Sequence, residues 1–110
     1  MIKFGTVTFS GKSGTSYEFF AYSTDTEFNA VAGVYVVTRR TLDNSSHASH
    51  TRIYVGQTED LSVRFDNHHK ADCFKKHKAN CICIYREDSE GQRLAIEQDL
   101  IEKYNPPCNG

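Results

Sequence analysis

The amino-acid sequence predicts an α+β domain of the mixed α/β sandwich type: a three-stranded antiparallel sheet flanked by helices, with an extra β-hairpin on its N-terminal side. Three observations predict it. Short runs rich in β-branched and aromatic residues, bounded by Gly, Ser and Asn, fill most of the first half of the chain. Capped segments with helical periodicity dominate the second half. The 110 residues, 38% apolar and 12% aromatic with only two prolines, are enough to bury one core.

The hairpin comes first, with arms at residues 3–10 and 15–22 around the turn Gly11-Lys12-Ser13-Gly14. Gly11-Lys-Ser looks like part of a phosphate-binding loop, but such a loop needs an earlier glycine in register and a following helix, and β-formers follow here. A polar stretch, 23–30, closes an extension of residues 1–30, and residues 31–110 form the main domain. Strands are predicted over 33–39 and 51–56, with the polar residues 41–50 as an exposed connection.

A helix is predicted from Thr58, capped by that hydroxyl, with Glu59 and Asp60 in the first turn where the helix dipole favours negative charge. Leu61 and Phe65 would share one face of it, and Arg64 and His68, four residues apart, a neighbouring one. A further helical stretch over 71–78 leads to a short strand over 80–85. The last helix begins at Ser89, where Ser89 and Gln92 fit a capping box, and runs to about Lys103 before Pro106 and Pro107 forbid continuation.

No run approaches the roughly 20 apolar residues of a spanning helix, and Met1-Ile-Lys-Phe-Gly lacks the apolar core of a signal peptide. A cytoplasmic protein with no membrane partner is expected. The four cysteines then read as free thiols rather than a disulfide framework. Zinc is weighed because Cys and His cluster between His68 and Cys83, but Cys81-Ile-Cys83 is closer spaced than the usual ligand pair; on a strand the two would share a face and pack as small apolar groups.

The formal net charge of −1 conceals a dipole. Residues 39–86 carry nine Lys/Arg against five acids and all five histidines, whereas residues 87–103 carry six acids against two bases. Within the acidic helix Glu97 sits between Leu94 and Ile101, on a stripe continued by Tyr104, so helical spacing puts a carboxylate in or beside the apolar face. A carboxylate there needs a cation, either an arginine such as Arg93 or Arg64, or a hard metal ion such as Mg²⁺.

Two strand tripeptides, Gly33-Val34-Tyr35 and Tyr54-Val55-Gly56, followed by Arg64 and then by the string from Glu97 to Asn109 with its two prolines, resemble the signature of the GIY-YIG nuclease family. The resemblance runs from residue 33 to residue 109 and implies metal-dependent endonucleolytic hydrolysis of DNA. It implies that Glu97 is the sole protein carboxylate on one divalent ion, Mg²⁺ or Mn²⁺, and that Arg64 holds a phosphate oxygen. Tyr35 would orient or deprotonate the attacking water, and Tyr54 would orient phosphate or nucleophile. His68 would relay a proton or contact phosphate, and Asn109 would fix loop geometry. The basic segment, through Arg39, Arg40, Arg52, Lys70, Lys75 and Lys76, would supply DNA contacts.

Three departures qualify the carry-over. The connection between the tripeptides is longer than is usual in the family; Gln57 stands where repair-type members have lysine, which shifts the general base toward Tyr35 or His68; and residues 1–30 fall outside the pattern. With little surface added for base reading, cutting of branched, damaged or duplex DNA with weak sequence preference is expected, unless a second copy or a protein partner supplies specificity. Two rival readings are an inactive nucleic-acid-binding module on the same fold and a structural Cys/His zinc protein.

Overall fold

The computed structural model describes residues 1–110 as five strands and three α-helices: β1 (Lys3–Ser10), β2 (Ser16–Ser23), β3 (Gly33–Leu42), β4 (Ala48–Thr58), α1 (Leu61–Arg64), α2 (Ala71–Lys76), β5 (Cys81–Arg86) and α3 (Glu90–Tyr104), with a final 3₁₀ turn over Pro107–Asn109. All strands pair antiparallel, in the order β1-β2-β5-β3-β4. The sheet therefore has five strands rather than three. The hairpin is not an appendage: residues 20–23 of β2 add to residues 81–84 of β5, whose outer edge would otherwise present unpaired backbone groups.

Alternation along the strands divides the core in two. Val34 and Val36 of β3, with Cys81 and Cys83 of β5, face a layer built on Phe9, Phe19, Ile96 and Leu100. Tyr35 and Val37, with Ile82 and Ile84, face the other way, onto Leu61, Tyr54 and Cys108. Tyr35 and Tyr54 thus lie on the face of the sheet opposite the cysteine pair.

The turn Gly11–Gly14 works as a docking element for α3. Asp99 accepts hydrogen bonds from the Ser13 backbone (2.8 Å), the Ser13 hydroxyl (2.7 Å) and the Tyr17 hydroxyl (2.7 Å), and the Lys12 amide donates to the Asp99 carbonyl. A side chain at Gly11 would collide with the Asp99 carboxylate.

Four local expectations need correction. Half of the segment 41–50 is strand, because β3 and β4 extend to a tight turn in which Asp43 accepts from the amides of Ser45 and His47. Thr58 ends β4, and the cap of α1 is Asp60, which accepts from the Ser62 amide; α1 then stops at Arg64, so His68 lies beyond it. Cys73 and Cys108, 35 residues apart in sequence, form a disulfide between α2 and the final turn, where free thiols are expected from sequence. On α3 the buried residues are Arg93, Ile96 and Leu100, whereas Leu94 is exposed, so the apolar stripe does not run through Leu94, and Glu97 lies half-buried beside it. Ser89 caps α3 as expected, accepting from the Gln92 amide, and Asn105 ends it in the left-handed conformation before Pro106.

Candidate active site

The site forms at the edge strand β4, where β3, α1 and α3 converge. Both tripeptide glycines are explained by close approach. A side-chain carbon at Gly33 would meet the Tyr85 carbonyl at 2.8 Å, and one at Gly56 would meet the Tyr35 ring at 2.5 Å and the Tyr54 ring at 2.8 Å. Gly56 is therefore the gap through which the two tyrosine rings come together, with centroids 6.0 Å apart.

Tyr35 is fully buried, and its hydroxyl oxygen is the hub of the site. Arg64 Nε donates to it at 2.9 Å, and His68 Nε2 lies 2.7 Å away. The Lys70 backbone N–H donates to His68 Nδ1 at 3.0 Å. Burial, reinforced by the Arg64 charge, lowers the His68 pKa to about 4, so the ring is neutral at physiological pH. A neutral imidazole that accepts at Nδ1 carries its one proton on Nε2, so Nε2–H donates to Tyr35. Two donors converge on the phenol oxygen, and its own hydrogen is left for a third partner.

These donors work against burial. Desolvation raises the pKa of Tyr35 strongly, with Arg64 pulling it back, and raises that of Tyr54 in the same manner. Arg64 donates to Tyr35 through Nε and lines a wholly polar cleft of about 310 Å³ with Gln57, Thr58, Glu59, Glu90 and Arg93.

Glu97 is half-buried, and neither arginine considered from sequence pairs with it. Arg93 is buried and donates to Gln57 Oε1 and to the carbonyls of Glu87 and Asp88. The structure's only carboxylate ion pairs, Met1 with Asp25 and His47 with Asp43, lie elsewhere. Burial raises the Glu97 pKa while Arg64 lowers it, which puts the two charges within electrostatic reach without contact. A carboxylate so placed suits a divalent cation: it is partly desolvated, oxygen-rich and claimed by no protein cation.

Asn109 reaches the site through the backbone. Its Oδ1 accepts from the Val55 N–H (2.8 Å) and its Nδ2 donates to the Val55 carbonyl (2.9 Å), so the side chain occupies the open edge of β4 between Tyr54 and Gly56. Pro106, Pro107 and the Cys73–Cys108 disulfide hold it there.

The residues expected to touch DNA are placed unevenly. Arg39, Lys75 and Lys76 are exposed and Lys70 is partly so, but Arg40 lies over the Phe4 ring (4.2 Å) and Arg52 over the Tyr104 ring (4.1 Å). The sequence reading missed Lys70 as a tautomer-setting amide and Arg93 as the partner of Gln57; backbone donors and cross-element bonds of this kind leave no periodic signal.

A family model described as the GIY-YIG catalytic domain matches residues 31–110. The chain belongs to the GIY-YIG family. That family is one of nucleases, and the match covers every residue placed in the site above while leaving the β1–β2 hairpin outside it. No curated protein and no solved structure matches the chain. No helix is long and apolar enough to cross a membrane.

Proposed function

We propose that the chain is a divalent-metal-dependent endonuclease that hydrolyses DNA phosphodiester bonds with Tyr35, Tyr54, Arg64, His68 and Glu97 in direct roles and Asn109 as a positioning residue. The observation that carries the reading is the half-buried Glu97 carboxylate, in no ion pair with the protein and within electrostatic reach of an arginine whose Nε is bound to a buried phenol.

Hydrolysis of a phosphodiester requires neutralisation of phosphate charge, a group to orient and deprotonate water, and stabilisation of the leaving oxygen. Glu97 would hold a single Mg²⁺ or Mn²⁺ ion, which when bound supplies positive charge to the scissile phosphate and leaving oxygen. Arg64 keeps Nε on Tyr35 and presents its terminal nitrogens to a non-bridging oxygen, a task suited to its permanent charge and forked donors. Tyr35, once deprotonated, takes the proton of the attacking water and returns to the phenol. The donors from Arg64 and His68 stabilise the phenolate that this step requires, and without them burial would hold the phenol inert. Tyr54 orients the phosphate. His68, neutral and donating through Nε2, steers Tyr35 and does not act as the base.

Plasmid nicking in Mg²⁺ or Mn²⁺ tests the reading. The parent should nick, and Glu97→Ala, Arg64→Ala and Tyr35→Phe should each be slower by on the order of 100-fold or more, the scale of removing one preorganised charge or donor. Equal activity in all four proteins would mark a contaminating nuclease. DNA binding without nicking in any metal would identify an inactive binding module on this fold. A panel of duplex, branched, flapped and single-stranded DNA, with RNA counterparts, defines the substrate.

A further inference from the structure

We propose that His50, Cys81 and Cys83 form a zinc site that ties β3, β4 and β5 together on the face of the sheet opposite Tyr35. It uses none of the residues assigned to nucleolysis. Cys81 and Cys83 are alternate residues of β5, both fully buried, both outside the disulfide and both directed to one face. His50 reaches them from β4, across β3, where Thr38 pairs with Cys81. The ligand atoms of the three residues all lie within 4.8 Å of one another.

The spacing fits a tetrahedral soft site. With Zn–S near 2.3 Å, tetrahedral angles put two ligating sulfurs about 3.8 Å apart. The two Sγ atoms here are 3.9 Å apart. The strand does what a two-residue loop does in a conventional ligand pair, because residues i and i+2 present their side chains to the same face.

Charge balance fits as well. Two thiolates and a neutral imidazole around Zn²⁺ sum to zero, so the cluster can occupy a core containing Phe9, Val36 and Leu100 without an isolated buried charge. Soft thiolates also disfavour the hard Mg²⁺ expected at Glu97. Thr38 Oγ1, 2.9 Å from His50 Nδ1, holds the ring in place. A hydroxyl or water oxygen would complete four-coordination. The other Cys/His group, Cys73, His77 and Cys108, has committed both sulfurs to the disulfide.

Elemental analysis of the full chain purified without chelator tests the site. Zinc stoichiometric with protein is expected, and Co²⁺ added to chelator-stripped protein should give cobalt–thiolate charge-transfer absorption. Both should be lost in the Cys81→Ser/Cys83→Ser double variant and in His50→Ala. Both should persist in Glu97→Ala, where nicking fails, and in the Cys73→Ser/Cys108→Ser double variant. Folded protein that neither carries zinc nor gives the cobalt band overturns the proposal, as does metal that survives loss of Cys81 and Cys83 or vanishes only with Cys73 and Cys108. If the variants do not fold, the parent still decides: maleimide should label Cys81 and Cys83 faster after chelation, and equal labelling rates with and without chelator would reject the site.

Discussion

At the scale of single residues, the hydroxyl of Tyr35 gathers the polar contacts of Arg64 and His68, and two pH effects are expected from these groups. The phenol is held protonated by burial, so the nicking rate should rise with pH above neutrality, and the Tyr35→Phe variant should lose that dependence along with its activity. His68 gives a second effect, on stability and at lower pH. Its folded pKa lies near 4, below the 6.5 of an unfolded chain, so the unfolded state takes up a proton first as pH falls. Stability from this residue is complete above pH 6.5 and is lost between 6.5 and 4, a change of at most about 3 kcal/mol measurable by urea unfolding at several pH values. A His68→Gln variant should show a flatter profile over that window. Tyr35, Arg64 and Glu97 were legible from sequence because their spacing follows a family pattern. The direction of the His68 hydrogen bond was not, because it depends on the Lys70 amide folding back onto the ring.

At the scale of elements, the site is held by contacts that link strands and helices rather than by the helices themselves. α1 is a single turn, so Arg64 is positioned by the Asp60 cap and by Tyr35. Asn109 closes the β4 edge with two hydrogen bonds, and Asn109→Ala should cost about 1–3 kcal/mol by leaving the Val55 amide and carbonyl unpaired. Its effect on nicking should exceed that loss of stability, because Tyr54 and Gly56 flank the released segment; a comparison of melting temperature and rate distinguishes the two. Gly56→Ala should be worse, since the added carbon has no space beside the tyrosine rings, and it should fail to fold or lose nicking entirely. The strand and helix locations were visible in turn residues, caps and alternation. The length of β3 and β4 was not, because their outer residues are polar and gain strand structure from each other's hydrogen bonds.

At the scale of the whole molecule, three devices join distant parts of the chain: the five-stranded sheet, the docking of the hairpin turn on Asp99, and the Cys73–Cys108 disulfide. Closing a loop of 35 residues stabilises the folded state by about 3–4 kcal/mol through the restricted unfolded chain, so a thiol reductant should lower the melting temperature in the parent and not in Cys73→Ser/Cys108→Ser. Electrostatics act at this scale too. Exposed Arg39, Lys75 and Lys76 belong to the basic segment, and DNA affinity should fall steeply as salt rises, with a weaker dependence once Lys75 and Lys76 are replaced by Ala. A flat salt response would exclude a phosphate-tracking surface.

The sequence by itself determined the family, the order of the site residues and the nature of each chemical group, because these depend on residue type and on spacing along the chain. Tertiary structure alone decided that β5 would accept the hairpin as a neighbour, that Arg93 would bind Gln57 and leave Glu97 without a cation, that Cys73 would meet Cys108, and that His50 would cross β3 to reach Cys81 and Cys83. Each of these joins groups far apart in sequence through hydrogen bonding, burial or covalent closure. Such pairings depend on which surfaces the folded sheet brings together, and no local periodicity records them.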